Sequence, residues 1–281
     1  MRKFEKNRYK ANPVCPCGKS NKDDKFATEK GFSGQAVGYC FSCGKYFTNK
    51  TLTQGYIKPY KAPEPIIYCK SCTEAVNNNY DADLKSEFAQ FLVRTFGKHN
   101  AKKVAEKYHL GEHYGKVIFW QIDSNYKGRA GKILTYSGEG KRSGYINWWH
   151  SINKEDCKLQ QCFFGQHLID ESDKPIAVVE GAKTAVIMSI MRPDFMWLSS
   201  EGAEGLSREK CKSIERFDVT LFPDAGWYDK WKEKADEYDF KISRDCEIWM
   251  DKNSIDKGDD IADYYLKTYS SEKFKKILLK D

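Results

Sequence analysis

The stretch "PIAVVEGAKTAVIMSIM", Pro175–Met191, decides the fold of the C-terminal part of the chain. It is apolar up to Glu180, which predicts a strand buried on both faces, and after Gly181 it reads as a helix. The alternation recurs: "FMWLSS" precedes "SREKCKSIERF", "VTLFPD" precedes "WYDKWKEKADEY", and "CEIWM" precedes "IADYYLKTY" and "SEKFKKILLK". Apolar strands that alternate with helices indicate a parallel sheet covered on both faces, so the predicted fold class is α/β.

Acidic residues follow several of these predicted strands. Glu180 ends "PIAVVE", Asp224 ends "VTLFPD", and "KGDDIADYY" contributes Asp259, Asp260 and Asp263. The carboxyl ends of parallel strands meet at one edge of a sheet, where ligands bind. Carboxylate oxygens gathered there suit Mg²⁺ and phosphoryl transfer. Taken singly, each acid also fits a solvated turn or a helix N-cap.

Cysteines cluster in the N-terminal part of the chain. Two close pairs match the ligand set of a tetrahedral structural zinc site: Cys15, Cys17, Cys40 and Cys43. A short segment with few core residues also needs a staple such as a metal. A competing set joins Cys69 and Cys72 to the second pair, but "YCKSCT" lacks the glycine that follows the other pairs. The remaining cysteines are interpreted as ordinary core or surface residues: Cys157, Cys162, Cys211 and Cys246.

Charge is distributed unevenly along the chain, whose formal net charge is +7. Residues 1–62 carry a net charge of +9, residues 63–170 carry +3 and residues 171–281 carry −5. Lysines and aromatic residues lie between the N-terminal cysteines, a pattern that favours contact with single-stranded nucleic acid. The alternative is a purely structural zinc site whose lysines serve solubility.

The chain is expected to lie in the cytoplasm. Its mean hydropathy is −0.71. It contains no run of 18 apolar residues, and "MRKFEKNRYK" lacks the apolar stretch of a signal peptide. These features predict no membrane association.

Composition shifts divide the chain into four predicted segments. Residues 1–50 form a small β unit, residues 51–82 a linker, residues 83–170 an α+β block and residues 171–281 the α/β domain. In the α+β block, "LKSEFAQFLVRTF" is predicted as a helix capped by Asp83, and "NAKKVAEKYHLG" as a helix closed by Gly111. "KVIFWQI", "GKILTY" and "GYINWW" are predicted strands.

The motifs "VVEGAKTA", "FPDAG" and "GDDIAD", in this order, resemble the Toprim domain of bacterial-type primases and topoisomerases. "CPCG" and "YCFSCG" resemble a primase zinc ribbon, and the middle block resembles the N-terminal part of a primase catalytic core. The resemblance covers most of the chain and is narrowest to primase-like proteins of bacterial mobile elements. It implies a Toprim-like parallel sheet flanked by helices, preceded by an α+β primase-core-like block and a small β zinc ribbon.

The resemblance also implies site residues. Glu180, Asp224 and Asp260 would be catalytic. The magnesium ligands would be Glu180, Asp224, Asp260 and Asp263, with Asp259 interchangeable with its neighbour. Mn²⁺ could replace Mg²⁺, and Zn²⁺ would be structural. Template or nucleotide would be held by Arg129, Lys132, Lys141, Arg142 and Lys183. The alternative for these five residues is solvated surface charge.

The implied function is DNA priming: Mg²⁺-dependent synthesis of RNA primers from nucleoside triphosphates on single-stranded DNA. It would serve replication of a mobile element or phage, with a replicative helicase as a candidate partner. One departure stands out, because the Toprim pattern is Asp-x-Asp whereas here Gly226 follows Asp224 at the second position. We expect Asp229, five residues on, to turn away. The alternatives are therefore a non-catalytic single-stranded-DNA-binding accessory protein with a degenerate pocket, or a Toprim nuclease.

Overall fold

The chain divides into two compact units, Met1–Pro65 and Ile66–Asp281. The computed structural model describes residues 3–17, 20–32, 35, 37–42, 44–48, 70–153, 160–171 and 173–268. The predicted zinc ligand Cys43, its competitor Cys69, Cys157 and the predicted helix "SEKFKKILLK" lie outside these residues. Among the described helices, none combines the length and apolarity that a membrane crossing requires.

The described part of the first unit contains a sheet of three short antiparallel strands. It begins with the helix α1 (Arg8–Ala11), followed by β1 (Phe26–Thr28), β2 (Gly38–Cys40) and β3 (Lys45–Phe47), which pair in the order β1-β2-β3. Its small core consists of Phe26 and Phe47 with Cys15 and Cys40. So few apolar side chains bury little surface, which is why a unit of this size benefits from a further cross-link.

The second unit begins with helices and an antiparallel sheet. Its first elements are α2 (Lys70–Asn78), α3 (Glu87–Phe96), α4 (Lys98–Lys107), β4 (Gly111–His113), β5 (Lys116–Ile122), β6 (Gly128–Tyr136), β7 (Arg142–Trp148) and α5 (Trp149–Ile152). The strands pair in the order β4-β5-β6-β7. Helix α2 lies within the predicted linker. It forms there because Cys72, Ala75 and Val76 are buried against Ile118 and Trp120.

The remaining elements form the predicted parallel sheet. After a 3₁₀ helix at Gln166–Glu171 come β8 (Ile176–Val179), α6 (Ala182–Met191), β9 (Met196–Ser199), α7 (Arg208–Ile214), β10 (Val219–Leu221), α8 (Tyr228–Tyr238), β11 (Lys241–Ile242), α9 (Asp245–Asp251) and α10 (Ile261–Thr268). These strands are parallel and lie in the order β11-β10-β8-β9. The mixed α/β class is therefore confirmed.

The two sheets of the second unit share one hydrophobic core. Tyr108, which follows α4, stacks on Phe164 with ring centroids 5.0 Å apart, and its hydroxyl donates to the Trp197 carbonyl of β9 at 2.8 Å. Phe119 of β5 packs edge-on against the same Phe164. Each such buried aromatic side chain contributes about 1.5–3 kcal/mol of transfer free energy. This packing fixes the antiparallel sheet beside the carboxyl ends of the parallel strands.

Two predicted helix boundaries were wrong. Helix α3 is capped by Ser86, whose hydroxyl accepts the Ala89 amide at 3.2 Å, and Asp83 lies in the exposed turn before it. That turn forms because Asp81 accepts the Lys85 and Ser86 amides.

Helix α4 ends at Lys107, well before Gly111. His109 adopts the left-handed conformation (φ +49°), and the Leu110 amide reaches back to the Ala105 carbonyl at 3.0 Å. Gly111 therefore opens β4 instead of closing the helix.

The prediction of a strand for "CEIWM" was also wrong. These residues lie in α9, and the edge strand is the two-residue β11 just before it. Asp245 and Glu247 occupy the first turn of α9, where the helix dipole stabilises carboxylates. Cys246 is buried while Ile248 is exposed, a helical pattern that a five-residue apolar run conceals.

Candidate active site

Glu180 lies at the carboxyl end of the central strand β8. Its carbonyl oxygen accepts the Gly202 amide at 3.1 Å and lies 2.8 Å from the Ser199 hydroxyl, so the neighbouring strand end holds its backbone. Its Oε2 atom is buried and has no hydrogen-bond partner in the described part of the chain. Burial raises the pKa of Glu180, whereas the Ala203 amide and the Lys132 ammonium lower it. A buried, unpartnered carboxylate oxygen is suited to receive a cation.

Asp224 lies beyond the end of β10, next to β8. Its loop is pinned to the loop before α10 because the Ala225 amide donates to the Asp259 carbonyl, and the Gly258 amide to the Ala225 carbonyl, each at 2.9 Å. Burial, followed by the charges of Asp260 and Glu180, raises the pKa of Asp224 from 3.8 to about 9. The protein alone therefore holds Asp224 protonated at neutral pH, and a bound cation would be needed to ionise it.

Asp260 and Asp263 cap helix α10 reciprocally. The Asp263 amide donates to Asp260 Oδ1 at 2.9 Å, and the Asp260 amide donates to Asp263 Oδ2 at 3.1 Å. Thr184 Oγ1 donates to Asp260 Oδ2, and Lys183 Nζ lies 3.1 Å from Asp263 Oδ1 and 3.6 Å from Asp260 Oδ2. Burial raises the pKa of Asp260, although Lys183 opposes this effect. Lys183 thus balances part of the acidic charge.

Asp259 is held differently from Asp260. Its carboxylate accepts the Asp256 amide at 3.0 Å and lies 2.6 Å from Lys267 Nζ. Asp260 is buried and faces α6, whereas Asp259 is half-buried and paired with Lys267. The two residues therefore have different surroundings, and Asp260 is the one enclosed with Lys183 and Thr184.

A cleft of about 640 Å³ lies between these acids and the β6–β7 hairpin. Its lining includes Glu180, Asp224, Asp259, Asp260 and Asp263 on the acidic side, and Lys132, Lys141, Arg142, Lys183 and Lys267 as cations. Four of the five predicted nucleic-acid-binding residues are therefore in its wall. The fifth, Arg129, lies elsewhere and forms an ion pair with Asp123, at 2.6 Å between Nε and Oδ2. Asp224 and its acidic neighbours thus face a basic surface across open space.

Glu201 is a cleft residue that sequence reasoning missed. Its carboxylate forms an ion pair with Lys132 Nζ at 3.0 Å, and its side chain is only 2% exposed. The residue adopts φ +66°, an uncommon conformation for glutamate that costs about 1 kcal/mol. The pair joins the antiparallel sheet to the end of β9. Glu201 directly follows the predicted strand "FMWLSS", so the expectation that functional acids lie at strand ends, which was applied to Glu180, could have identified it.

Gly226, where the Toprim pattern has its second acid, turns away from the cleft. Its φ is +85°, and its amide donates to Glu247 Oε1 at 2.7 Å. A Cβ atom there would lie 3.0 Å from Lys257 Cε and 3.2 Å from Lys257 Cγ. Gly226 lines a separate small pocket together with Tyr228, Asp229, Arg244 and Glu247. A carboxylate at this position would therefore be directed towards Lys257.

The cleft carboxylates can be compared with the ligands that Mg²⁺ takes. In the described residues, the one group of three or more donor atoms within 4.8 Å of one another is the cysteine group of the first unit. Mg²⁺ commonly uses one or two carboxylates and retains its waters. The unpartnered oxygen of Glu180 and the raised pKa of Asp224 fit such a loosely coordinated ion.

Cys15, Cys17 and Cys40 form the close group in the first unit. The Cys17 sulfur lies 3.1 Å from that of Cys15 and 3.8 Å from that of Cys40. Tetrahedral zinc with bonds of about 2.3 Å places sulfurs about 3.8 Å apart, which matches the separation of Cys17 and Cys40, whereas Cys15 and Cys17 lie closer together than this. Burial raises the pKa of Cys15, and a zinc ion would offset that effect by binding the thiolate. Cys72, from the competing set, is instead buried in an apolar cluster.

Comparisons with known proteins give distant likenesses. A family model described as a domain of unknown function (DUF6371) matches residues 86–225. No curated protein matches the chain in sequence. Among solved structures, the RNA polymerase domain of Mycobacterium tuberculosis primase DnaG is similar, with a TM-score of 0.45 and 12% identity over 75% of this chain and 82% of that one.

Two further structures are similar at the same distant level. The primase fragment of the bacteriophage T7 primase-helicase protein has a TM-score of 0.37 and 17% identity over 73% of this chain and 79% of that one. A DNA primase domain from Pseudomonas aeruginosa has a TM-score of 0.38 and 15% identity over 80% and 73%. Likeness at this level does not by itself assign a function to this chain.

Proposed function

We propose that this protein is a primase-like enzyme that joins ribonucleoside triphosphates on a single-stranded DNA template in a Mg²⁺-dependent reaction. One observation carries the proposal: strand-end carboxylates and the cations of the β6–β7 hairpin line the same cleft. A polymerising site needs both, because metal ions bind to carboxylates while template and nucleotide phosphates bind to cations. The order of the Toprim-like motifs in the sequence supports the same reading.

Glu180 and Asp224 are the proposed metal ligands. They end neighbouring strands, and the charges of Asp260 and Glu180 raise the pKa of Asp224 in the pocket that the three residues share. A divalent cation would relieve this repulsion and, when bound, would stabilise the developing charge on the reacting phosphate oxygens. Asp260 and Asp263 are proposed to act with Lys183, whose ammonium they hold at the pocket edge.

Lys141 and Arg142 are the proposed phosphate contacts. Both are exposed at the start of β7 and line the cleft opposite the acids. Lys132 is held by Glu201, so its charge is fixed at the cleft floor near Glu180. Arg129 is paired with Asp123 and is proposed to contact nucleic acid only secondarily.

The N-terminal unit is proposed to be a zinc ribbon that grips the template. The sulfur positions of Cys15, Cys17 and Cys40, and the net charge of +9 over residues 1–62, support this role. Cys43 would be the fourth ligand. The sequence resemblance alone supports a role in the replication of a mobile element or phage, and a helicase as partner.

Primer synthesis tests the proposal. The protein is incubated with single-stranded DNA and labelled ribonucleotides, with or without Mg²⁺, and products are separated by size. We expect Mg²⁺-dependent products whose yield falls at least about 100-fold in Glu180→Gln, since even residues that only support metal ligands contribute 10- to 100-fold. Glu209→Gln, an exposed acid of α7, is the matched control. Full activity of Glu180→Gln would refute the assigned role.

A non-catalytic accessory protein that binds single-stranded DNA is the second candidate. Gly226 favours it, because the cleft has no carboxylate from this position and the backbone there leads away from the acids. Tight DNA binding without synthesis on several templates would support this candidate. Mg²⁺-dependent cleavage of the strand in the same assay would instead indicate a nuclease.

A further inference from the structure

Strand β7 contains a bulge that projects an aromatic side chain beside the cleft. Lys132 pairs with Trp148 and Ile133 with Asn147, and the ladder resumes with Thr135 opposite Ser143. Leu134 alone on β6 therefore faces three residues of β7: Gly144, Tyr145 and Ile146. Bulges of this kind re-aim side chains and are frequent beside active sites.

The bulge contains Gly144, and the residues around it are exposed. Gly144 has φ +73°, a conformation that a residue with a Cβ rarely adopts. Tyr145 is 92% exposed and Ile146 is 43% exposed. Leaving an aromatic ring in water forgoes the free energy of its burial, so the Tyr145 ring contributes little to folding and is available to contact a ligand.

The surface around Tyr145 is basic and continues into the cleft. Arg142 begins the same strand, at most about 10 Å away along the backbone, and Lys141 precedes it. Both line the cleft, whose wall also includes Leu134, the residue opposite the bulge. Glu139 is the acid of the adjoining turn. The ring is therefore placed where a polyanion bound at Lys141 and Arg142 would leave the cleft.

We infer that Tyr145 is a stacking residue for an unpaired base of single-stranded DNA whose backbone lies along Lys141 and Arg142. This rests on the proposed binding of single-stranded DNA and names where the strand passes. Base stacking on an exposed ring beside phosphate-binding cations is how sequence-tolerant single-strand sites are built. An added protein strand is disfavoured because a bulge breaks the regular edge it would need.

Equilibrium binding without Mg²⁺ and nucleotides tests the inference independently of catalysis. Fluorescence anisotropy is measured with a labelled oligo-dT and with an abasic strand of equal length, which has the same phosphates but no bases. Tyr145→Ala should weaken oligo-dT binding about 5- to 150-fold, the range for one stacked base, and leave abasic binding unchanged. Tyr145→Phe should restore binding.

Two controls separate stacking from folding and from charge. Tyr114→Ala removes another tyrosine that is 88% exposed, in the turn between β4 and β5, and should bind like the wild type. Tyr145→Ala should keep the wild-type salt dependence, whereas Arg142→Ala should reduce its slope by about 0.7.

Two outcomes would overturn the inference. One is an equal loss on both strands in Tyr145→Ala. The other is unchanged DNA binding in Tyr145→Ala, even if sedimentation shows that this variant has lost a self-association of the protein. If Tyr145→Ala weakens binding as expected but no primers are made, the inference stands and only the proposed catalysis fails.

Discussion

Replacing Asp224 by asparagine should make the protein more stable at neutral and alkaline pH when divalent cations are absent. Burial and the charges of Asp260 and Glu180 raise the pKa of Asp224 to about 9, against an ordinary value of 3.8. Between these two pH values the folded chain holds a proton on Asp224 that the unfolded chain has lost. The free energy of unfolding therefore falls as the pH rises through this window.

The expected size follows from proton linkage. One proton bound only in the folded state changes the free energy of unfolding by about 1.4 kcal/mol per pH unit. From pH 5.5 to pH 7.5 the wild type should therefore lose about 2.7 kcal/mol relative to Asp224→Asn, which carries a neutral side chain of similar shape throughout. A side-chain hydrogen bond with Asp224 lowers the pKa of Glu180. An asparagine amide can supply the same hydrogen bond, so the replacement should change the titration of Glu180 little.

Urea unfolding followed by tryptophan fluorescence is the appropriate assay. The tryptophans at positions 120, 148, 149, 197, 227, 231 and 249 all lie in the second unit, so the signal reports on the unit that contains Asp224. Asp229→Asn, a nearby exposed acid, is the matched control and should retain the wild-type dependence on pH.

A divalent cation should reverse the effect. Mg²⁺ at a 100-fold excess over its Kd should raise the wild-type free energy of unfolding by about 2.7 kcal/mol, with no comparable gain in Asp224→Asn. If the free energies of unfolding of the wild type and Asp224→Asn changed with pH in parallel, the prediction would be wrong, because Asp224 would then ionise normally in the folded chain.

Three further predictions concern other parts of the structure. Gly226→Asp should lower the free energy of unfolding by about 1 kcal/mol and leave Mg²⁺ affinity unchanged by calorimetry, because φ +85° disfavours aspartate; tighter Mg²⁺ binding would contradict this. Elemental analysis should find one zinc per chain, lost in Cys15→Ser but kept in Cys72→Ser; the reverse would favour the competing ligand set. Glu201→Gln should cost about 3 kcal/mol in urea unfolding because it leaves a buried ammonium unpaired, and a cost near zero would show that the ion pair is not structural.

Much of the architecture could be predicted because the strands are long or apolar enough to be unambiguous. "KVIFWQI" coincides with β5 at both ends, and "PIAVVE" contains β8. Short segments were harder to assign to a strand or a helix. "CEIWM" is as apolar as a strand, and only Glu247 within it and Asp245 just before it, both in the first turn of α9, distinguish it as a helix. The prediction that Asp83 caps α3 was wrong because hydrogen bonds from the Lys85 and Ser86 amides to Asp81 move the start of the helix.

The candidate site was predictable wherever strand order places a residue. Glu180 and Asp224 follow from the rule that ligands bind at strand ends, and the structure places both at one cleft. Asp260 lines the same cleft, but it lies at the start of α10, and the strand predicted before it is the helix α9. The ion pair of Glu201 with Lys132 was not predictable, since it depends on how the antiparallel sheet packs on β9. The bulge at Tyr145 could not be predicted either, because the pairing register depends on two strands together.

The most direct test of the central claim is the location of Mn²⁺ by anomalous scattering in crystals of the protein. Mn²⁺ substitutes for Mg²⁺ at oxygen-rich sites and can be identified by its signal. We predict a Mn²⁺ ion bonded to the carboxylates of Glu180 and Asp224, and no such ion in Asp224→Asn crystals. Mn²⁺ bound elsewhere, with the carboxylates of Glu180 and Asp224 free of metal at saturating concentration, would contradict it.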